Sequence, residues 1–383
     1  MNRLLFLSRE FPPGPGGIGT HAWRLCIELK SLGWDVMVVT PQDYAYDADI
    51  GTFTAAQPFP IVRLPSGRAS WREALHRRGV LAERLREWRP DVLIASGQRS
   101  VWLAAAVAGR SLPWVAIAHG SEFGGSSMTR RATRWAYARA AAVVSVSRFT
   151  QGVMEQAGID PQRRVVVPNG ADAQHFHVLP REEAESFRQR MGLRAARVLV
   201  TVGQVTERKG QDVVIRALTR VLARVPDTVY LVVGMPTRQA EYQALARELG
   251  VEDHVRFVGR IGGDDLVRCL NAADVFVMTS RRTPAGDCEG FGIAVVEAAL
   301  CGVPAVVSNG SGLAEAIEDG KTGIGVPEND AAATAEALTR LLCDDALRSS
   351  MAQAALARAQ CEQTWEFRAR AYDDLLREVV GRA

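Results

Sequence analysis

The segment Gly286-Asp-Cys-Glu-Gly-Phe-Gly-Ile-Ala-Val-Val-Glu297, which runs on into Ala298-Ala-Leu-Cys-Gly-Val-Pro304, is the most informative part of this chain. Glu289 lies in a glycine-flanked turn, and Glu297 follows eight residues later in an apolar stretch with helical spacing. A loop therefore ends here and a helix begins. Because eight residues span a little over two helical turns, a carboxylate at the helix entrance and one two turns deeper can face one cleft.

The backbone between the two carboxylates suits an anion. The amides of Phe291, Gly292 and Ile293 fall in the first helical turn, where N–H groups have no partner within the helix. Glycine also lets a ligand come close to the main chain. The segment therefore predicts a place that holds a sugar and a phosphate.

The Glu, seven residues, Glu arrangement resembles the signature of retaining glycosyltransferases of the GT-B fold, in particular glycosyltransferase family 4. The resemblance implies that Glu289 holds hydroxyls of the donor sugar and that Glu297 holds the ribose of the nucleotide. It also implies that the amides of Phe291 and Gly292 contact the sugar and the diphosphate. The spacing alone is not specific, because two glutamates at this interval also occur by chance on helices.

The length and composition are those of a two-domain globular protein. The 383 residues exceed one ordinary core, and 47% of them are hydrophobic and 23% charged. A net charge of only +3 gives no strong basic field, so nucleic acid is not expected as a partner.

Cysteine spacing and hydropathy indicate a cytoplasmic protein. The run from Leu4 to Leu7 is too short for a signal-peptide core, and no apolar run reaches the length of about 18 residues that spans a bilayer. Six cysteines without metal-ligand spacing are predicted to be reduced: Cys26, Cys269, Cys288, Cys301, Cys343 and Cys361.

Apolar runs and helical patterns alternate in two series, which predicts parallel sheets covered by helices on both faces. In the first half, strands are predicted at 3–8, 35–40, 61–64, 91–95, 114–118, 142–146 and 164–167, and helices at 20–32, 70–88 and 147–157. In the second half, strands are predicted at 197–202, 229–233, 255–258, 275–278, 304–307 and 323–326, and helices at 210–225, 238–249, 264–271 and 291–301.

The segment 168–180, with its Pro, Asn and Gly residues, breaks the alternation and is the best candidate linker. We therefore expect an N-terminal Rossmann-like domain over 1–172 and a C-terminal one over 185–358. The resemblance implies an α/β GT-B fold, in which these two doubly wound domains face an interdomain cleft, with the acceptor on the N-terminal side and the donor on the C-terminal side. It also implies that the terminal segment 359–383, with a helix over about 362–379, crosses back to the first domain.

The glycine-rich stretch Phe11-Pro-Pro-Gly-Pro-Gly-Gly-Ile-Gly-Thr20 follows the first strand and precedes a helix. Backbone amides near Gly16 and Gly17 can therefore approach phosphate. A nicotinamide site is disfavoured, because the second strand ends in Val39-Thr40-Pro41 without the acidic residue that a dinucleotide ribose needs. The loop resembles the family's N-terminal Gly-Gly loop near the donor phosphate and the acceptor; a plain tight turn is the alternative.

His119 ends an apolar strand and is followed by Gly120-Ser-Glu122. Residues at the carboxyl ends of parallel strands project into the crevice, so we expect His119 to be poised there rather than packed. The resemblance implies that it touches the donor sugar near the reaction centre, and a structural histidine is the alternative. Glu122 is a candidate contact for an acceptor hydroxyl.

The stretch Val202-Gly-Gln-Val-Thr-Glu-Arg-Lys-Gly210 again joins a strand to a helix. Fixed cations stabilise the charge that develops on a departing phosphate, and Lys209 is the first candidate for this role. The family usually has an Arg where this chain has Gln204, so Arg208 is the candidate replacement. A lysine at an exposed helix start is the alternative for Lys209.

Two further regions bear on the ligand. Arg260 and Ile261 follow a strand that resembles the family's base-binding edge, where main-chain contacts do not distinguish UDP, GDP and ADP. The triplet Asp47-Ala48-Asp49 is interpreted as a solvated loop, so neither a catalytic metal nor a separate cofactor is expected.

We therefore expect a retaining, metal-independent hexosyltransferase. It would move a hexosyl unit from a UDP- or GDP-sugar to a hydroxyl of a small-molecule, lipid-linked or glycan acceptor, in glycan, glycolipid or glycoside biosynthesis. Glu289 would orient the sugar without acting as a covalent nucleophile. The alternatives are a non-catalytic sugar-nucleotide-binding protein and a sugar-nucleotide hydrolase or epimerase on the same fold.

A peripheral contact with the inner face of a membrane is a further hypothesis, since a basic amphipathic helix suits an anionic surface. Glu73, Glu83 and Glu87 dilute the charge, so an ordinary helix packed on the sheet is the alternative. The arginines are Arg68, Arg72, Arg77, Arg78, Arg84, Arg86 and Arg89, interleaved with Trp71, Leu75, Leu81, Leu85 and Trp88.

Overall fold

The computed structural model describes residues 2–14, 16–41, 47–64, 71–109, 112–193 and 196–382. Pro15 of the glycine-rich stretch and Arg68 of the basic segment lie outside the described residues. The chain divides into two compact units. The first comprises Met1–Gly170 together with Trp365–Ala383, and the second comprises Ala171–Thr364.

Seven parallel strands form the sheet of the first unit, in the order β3-β2-β1-β4-β5-β6-β7. They are β1 (Arg3–Ser8), β2 (Asp35–Pro41), β3 (Ile61–Leu64), β4 (Val92–Ser96), β5 (Trp114–Ala118), β6 (Ala142–Ser145) and β7 (Arg164–Val166). The central strands are buried along their length, as expected where helices cover both faces. The order reverses between β1 and β4, and in open α/β sheets the loops at such a switch point form the ligand crevice.

Six helices follow these strands. They are α1 (Gly17–Ser31), α2 (Asp47–Ala55), α3 (Trp71–Trp88), α4 (Gln98–Val107), α5 (Ser127–Tyr137) and α6 (Arg148–Gln156). Helix α1 begins three residues before its predicted start, because the glycine-rich loop turns directly into it. Gly16 adopts φ +144°, and its carbonyl accepts the N–H of Thr20 at 3.0 Å.

The prediction of a solvated loop at 47–49 is wrong, because these residues begin helix α2. The helix has an apolar face that the triplet alone does not reveal. Ile50 is buried, and the ring of Phe53, three residues on, packs edge-on against Phe11 with centroids 6.4 Å apart. Apolar residues at this interval favour a helix over an open loop.

The second unit has six parallel strands in the order β10-β9-β8-β11-β12-β13. They are β8 (Arg197–Val202), β9 (Thr228–Val233), β10 (Val255–Gly259), β11 (Val275–Met278), β12 (Ala305–Ser308) and β13 (Gly323–Val326). Its helices are α7 (Arg181–Arg190), α8 (Gln211–Val221), α9 (Gln239–Glu248), α10 (Asp264–Asn271), α11 (Ile293–Leu300), α12 (Ala331–Cys343) and α13 (Asp345–Glu362). The switch point lies between β8 and β11, and the loops after these two strands carry the central motifs.

The last helix, α14 (Trp365–Gly381), belongs to the first unit and packs against α1. The indole N–H of Trp34 donates to the carboxylate of Asp373 at 2.7 Å, and Arg163 pairs with Glu378 at 2.5 Å. Each of the thirteen predicted strands is found with ends that differ by no more than one residue.

Candidate active site

The loops after β8 and β11 are tied together at the switch point of the second sheet. The hydroxyl of Thr279 donates to the carbonyl of Gly210 at 2.7 Å, and the N–H of Arg281 donates to the carbonyl of Arg208 at 2.9 Å. Gly210 adopts φ +70°, and a Cβ there would come within 2.0 Å of the Thr279 carbonyl oxygen. Glycine is therefore required at this position, and it fixes the residues just before it against the second loop.

Three residues predicted for the site meet in this corner. The ammonium of Lys209 lies 2.7 Å from Oε2 of Glu289, and a guanidinium nitrogen of Arg208 donates to the same oxygen. Nε of Arg208 also lies 3.2 Å from the carboxylate of Asp287. The side chains of Lys209 and Glu289 are each only 12% exposed. The alternative of a lysine at an exposed helix start is therefore wrong.

The two cations determine the charge of Glu289. Burial by itself would raise the pKa of this carboxyl group, but the neighbouring Lys209 and Arg208 outweigh burial and lower the pKa to about 2. Burial lowers the pKa of the Lys209 ammonium, and Glu289 raises the pKa of the Arg208 guanidinium. With a pKa of about 2, Glu289 is ionised at neutral pH and is shared between the side chains of Lys209 and Arg208.

The start of α11 lies beside this charge cluster. Gly292 is the N-cap residue with φ +86°, and no hydrogen bond to the N–H groups of Phe291, Gly292 or Ile293 is found among the described residues. The loop after β12 holds the turn in place, since the N–H of Gly312 donates to the carbonyl of Glu289 at 3.0 Å. The predicted donors are therefore present at a helix N-terminus, an arrangement that suits an anion.

Glu297 lies within α11, in the second turn of the helix, and is half-buried. Burial raises the pKa of the Cys301 thiol to about 12, and the charge of Glu297 is a smaller cause of the same shift. Glu289 and Glu297 thus lie in one unit, one at the entrance of α11 and the other inside it.

Gln204 does not join the cluster. Its amide nitrogen donates to the hydroxyl of Thr237 at 2.7 Å, in the loop after β9. Arg260 and Ile261 follow β10, the edge strand, with Arg260 exposed and Ile261 half-buried. The carbonyl of Gly259 accepts the N–H of Gly234 at 2.8 Å, which links the ends of β9 and β10.

In the first unit, Gly16 and Gly17 stand at the start of α1. A Cβ at Gly16 would lie 2.3 Å from a carboxylate oxygen of Glu10, whereas a Cβ at Gly17 would meet no atom within 4 Å. Gly16 is therefore needed for the turn itself, and the backbone at Gly17 is open to a ligand.

His119 follows β5 and is packed, contrary to the expectation that it stands unpacked at the strand end. The side chain is buried, Nε2 lies 2.9 Å from the hydroxyl of Ser96, and the ring contacts that of His21. At the end of β5, the imidazole of His119 packs against Ser96 of the neighbouring β4 and against His21 of α1. Burial lowers the pKa of His119 to about 3, so the imidazole is neutral at neutral pH.

Glu122 is also buried. One carboxylate oxygen accepts the backbone N–H of His119 at 2.5 Å, and the other has no hydrogen-bond partner among the described residues. Burial raises the pKa of Glu122 to about 7, although hydrogen bonds from the backbone oppose the shift. In this structure the carboxylate supports the strand end that carries His119.

Several contributors to the site were not predicted. Asp287 binds Arg208, Thr279 and Arg281 hold the loop of Lys209, and Gly312 holds the turn of Glu289. A glycine-containing turn directly after a predicted strand was a usable signal for Gly312. The roles of Asp287, Thr279 and Arg281 are known only from their contacts in the structure.

Neither a metal site nor a membrane span is found in the part of the chain that the structure describes. There, no group of three or more His, Cys, Asp and Glu side chains could hold a metal ion. No helix of the described residues is both long and apolar enough to cross a bilayer.

Two family models match the chain. The model described as Glycosyltransferase Family 4 matches residues 15–175, and that described as Glycosyl transferases group 1 matches residues 182–358.

Similar sequences include the GDP-mannose-dependent alpha-(1-6)-phosphatidylinositol monomannoside mannosyltransferases of two organisms. The one from Mycolicibacterium smegmatis is 37% identical over 259 residues, which cover 67% of either chain. The one from Mycobacterium tuberculosis is 30% identical over 393 residues, with 98% of either chain covered. The glycogen synthase of Mycobacterium tuberculosis is 28% identical, with 95% of this chain and 92% of the synthase covered.

Similar solved structures include Anabaena HepE in complex with UDP and glucose, with a TM-score of 0.85, 22% identity and coverage of 99% of this chain and 100% of HepE. Sucrose-phosphate synthase from Thermosynechococcus elongatus has a TM-score of 0.83 and 21% identity, with both chains fully covered. These likenesses confirm the predicted GT-B fold.

Proposed function

The chain belongs to glycosyltransferase family 4, and from that premise we propose that it transfers a mannosyl unit from GDP-mannose to a hydroxyl of a lipid-linked acceptor, with retention of configuration. Family membership makes it a hexosyltransferase that uses a nucleotide sugar. The choice of GDP-mannose and of a lipid-linked acceptor is supported by the two mannosyltransferases named above, whose sequences are at least 30% identical to this chain.

The observation that carries the proposal is the meeting of Lys209 and Arg208 at Glu289, beside the amides that begin α11. A diphosphate offers oxygens to the two cations and to the amides, and a sugar offers hydroxyls to the carboxylate. One corner can therefore hold both halves of the donor. Glu289 is ionised and nearly buried, which suits it to orient a sugar by charge-assisted hydrogen bonds.

In the proposed reaction, the bond between the anomeric carbon and the diphosphate oxygen breaks, and its electron pair leaves with GDP. The acceptor oxygen forms the new bond from the same face, and its proton passes to the departing diphosphate. Lys209 and Arg208 stabilise the charge that develops on the leaving group, and positioning supplies the rest of the acceleration. Glu289 orients the sugar and forms no covalent bond.

The other predicted residues take the roles that the family resemblance implies. We propose that Glu297 binds the ribose, that Phe291 and Gly292 donate backbone N–H groups, and that the part of His119 left exposed by its packing, 9% of the residue, contacts the donor sugar. Arg260 and Ile261 lie at the end of the edge strand β10, where main-chain groups can meet a base. Gly17 presents open backbone at the start of α1, close to Gly16 in the turn.

We also propose peripheral contact with an anionic membrane, at a different helix from the predicted one. The apolar face of α3 is used within the unit in the second half of the helix, whereas Leu75 in the first half is 54% exposed. Leu81 is buried, Leu85 packs on the core, and the ring of Trp88 lies under the guanidinium of Arg3. The second half of α3 is thus an ordinary packed helix, and the exposed basic face of α5, which packs on α4, is the candidate surface.

The donor and acceptor are tested by measuring released nucleoside diphosphate and glycosylated product. The donors are GDP-mannose, UDP-glucose and ADP-glucose, each with phosphatidylinositol monomannoside, with glycogen, or with no acceptor. We expect release from GDP-mannose that depends on the lipid acceptor, and none with Lys209→Ala. Lys321→Ala, at a lysine whose side chain is 70% exposed, is the matched control and should behave like the unmodified protein.

Each alternative has a distinct outcome. Transfer of glucose to glycogen would contradict the proposed donor and acceptor. Release of GDP without any acceptor would indicate a hydrolase, and binding of GDP-mannose without turnover would indicate a sugar-nucleotide-binding protein.

A further inference from the structure

His21 on α1 is a fully buried histidine with one unpartnered nitrogen. Its Nε2 lies 3.2 Å from the hydroxyl of Tyr372 on α14. Its Nδ1 is buried and has no hydrogen-bond partner among the described residues. Burying a polar nitrogen without a partner costs free energy, and an apolar ring would fill the same space without that cost. Packing alone therefore does not account for a histidine here.

The ring of His21 joins α14 to His119. It lies edge-on to the imidazole of His119, with centroids 5.1 Å apart and planes at 84°, and edge-on to the indole of Trp365, also at 5.1 Å. The imidazole of His119 has a second contact, because its Nε2 lies 2.9 Å from the hydroxyl of Ser96. The imidazole of His119 is therefore held by Ser96 through a hydrogen bond and by His21 through its ring.

Both imidazoles are neutral. Burial, with His119 as a smaller cause, lowers the pKa of His21 well below its ordinary range, and burial lowers that of His119 to about 3. Two neutral rings can pack edge to face, whereas two imidazolium ions in the same contact would repel each other. A neutral His21 can also donate a hydrogen bond to the Tyr372 hydroxyl or accept one from it.

We propose that His21 is a positioning residue that sets the orientation of the His119 imidazole and makes this orientation depend on α14 through Tyr372 and Trp365. The inference rests on the proposed function, in which His119 contacts the donor sugar. Because His21 is fully buried, it acts only through His119 and does not touch the substrate. Helix α14 thereby contributes to the reaction as well as to the stability of the unit.

The test is a double-mutant cycle on transfer from GDP-mannose, with His21→Ala, His119→Ala and the double variant. We expect His21→Ala to lower kcat roughly tenfold or more, since small misplacements of reacting groups have effects of this order. The Kd of GDP should not change, because Lys209 and Arg208 belong to the other unit. Added to His119→Ala, the His21 change should cause no further loss, because residues that act through one contact are not additive.

Three controls separate positioning from stability. Leu29→Ala removes an equally buried side chain two turns further along α1, and we expect it to lower Tm while leaving kcat within about twofold. Tyr372→Phe removes only the hydroxyl and should lower kcat by less than His21→Ala does. His21→Phe keeps the ring contact with His119 but cannot bind Tyr372, so it should fold and lose kcat about as much as Tyr372→Phe does.

A kcat equal to that of the unmodified enzyme in His21→Ala or His21→Phe would overturn the inference, as would a further loss when His21→Ala is added to His119→Ala. Full activity of His119→Ala would overturn it as well, because His119 would then have no role in transfer that His21 could support. The proposed donor and acceptor are judged separately, from the substrate panel with the unmodified enzyme.

Discussion

At the scale of residues, Glu289 is shared between two cations, while Glu297 lies in the second turn of the following helix. This difference separates the roles of the two carboxylates. Glu289 is held where the sugar and diphosphate are proposed to meet, by Lys209 at 2.7 Å and by Arg208. Glu297 is half-buried on α11, one turn past the helix start.

Glu289→Gln is expected to slow transfer by a hundredfold or more, roughly the effect of removing a preorganised polar group. GDP should bind at least as well as before, because Lys209 and Arg208 lose their competing carboxylate. Glu297→Ala should instead weaken GDP binding. Calorimetry with GDP measures both, with the exposed Glu336→Gln as control. Equal weakening of binding by the two changes would refute this division of roles.

Arg208 meets Glu289 beside Lys209, and we propose that it supplies the cation that the family resemblance places at the position of Gln204. We expect Arg208→Ala to lower turnover nearly as much as Lys209→Ala, with each loss about 3 kcal/mol in the transition state, or roughly a hundredfold. Gln204→Arg should restore part of the activity of Arg208→Ala.

Turnover and thermal unfolding are measured together for the Arg208 variants, because breaking a buried ion pair also destabilises a protein. Arg220→Ala, at an exposed position on α8, is the control. An unchanged rate in Arg208→Ala would show that Arg208 does not replace the missing arginine.

At the scale of elements, α5 combines exposed apolar side chains with arginines and no acidic residue. Met128 is 79% exposed and Trp135 is 45% exposed, and Arg139 stacks on the Trp135 ring at 4.1 Å. Arg130, Arg131 and Arg134 lie on the same short helix, and no acidic residue occurs between Glu122 and Glu155. A basic face with exposed apolar side chains suits an anionic lipid surface.

Sedimentation with phosphatidylglycerol vesicles at low salt is expected to bring down the protein, and vesicles of phosphatidylcholine should not. Trp135→Ala combined with Arg131→Gln should reduce the bound fraction several-fold, because both apolar insertion and charge attraction are weakened. Phe367→Ala is the matched control, since this aromatic residue on α14 is also 45% exposed. Absence of binding by the unmodified protein would end the proposal.

At the scale of the whole molecule, the two units repeat one plan. In each sheet the order begins 3-2-1-4-5-6 when strands are numbered within the unit, and the candidate residues lie in loops or helix starts after the strands. Gly16 and Gly17 follow β1, His119 follows β5, Lys209 follows β8, and Glu289 follows β11. Parallel strands make this possible because all their carboxyl ends lie on one edge of a sheet.

The strands and the positions of the motifs could be predicted from the amino-acid sequence. Strand signals are local: β8 and β13 were predicted with their observed ends, because short apolar runs bounded by turn residues depend only on neighbouring residues. Helices with weaker patterns, such as α4, α5 and α12, were not assigned. Gly210 and Gly292, which both lie in the motifs quoted from the sequence, adopt positive φ, a demand that is local to each turn.

Which charges meet and which polar groups are buried depends on contacts between distant parts of the chain, so these features are known only from the tertiary structure. Arg208 and Glu289 are 81 residues apart in the chain, and His21 and Tyr372 are 351 apart. Nothing local to either residue specifies its partner. The order of strands in the sheet and the packing of α14 on α1 bring these side chains together. Lys209 and Arg208 keep Glu289 an anion in spite of its burial, whereas burial keeps the His119 imidazole neutral and packed.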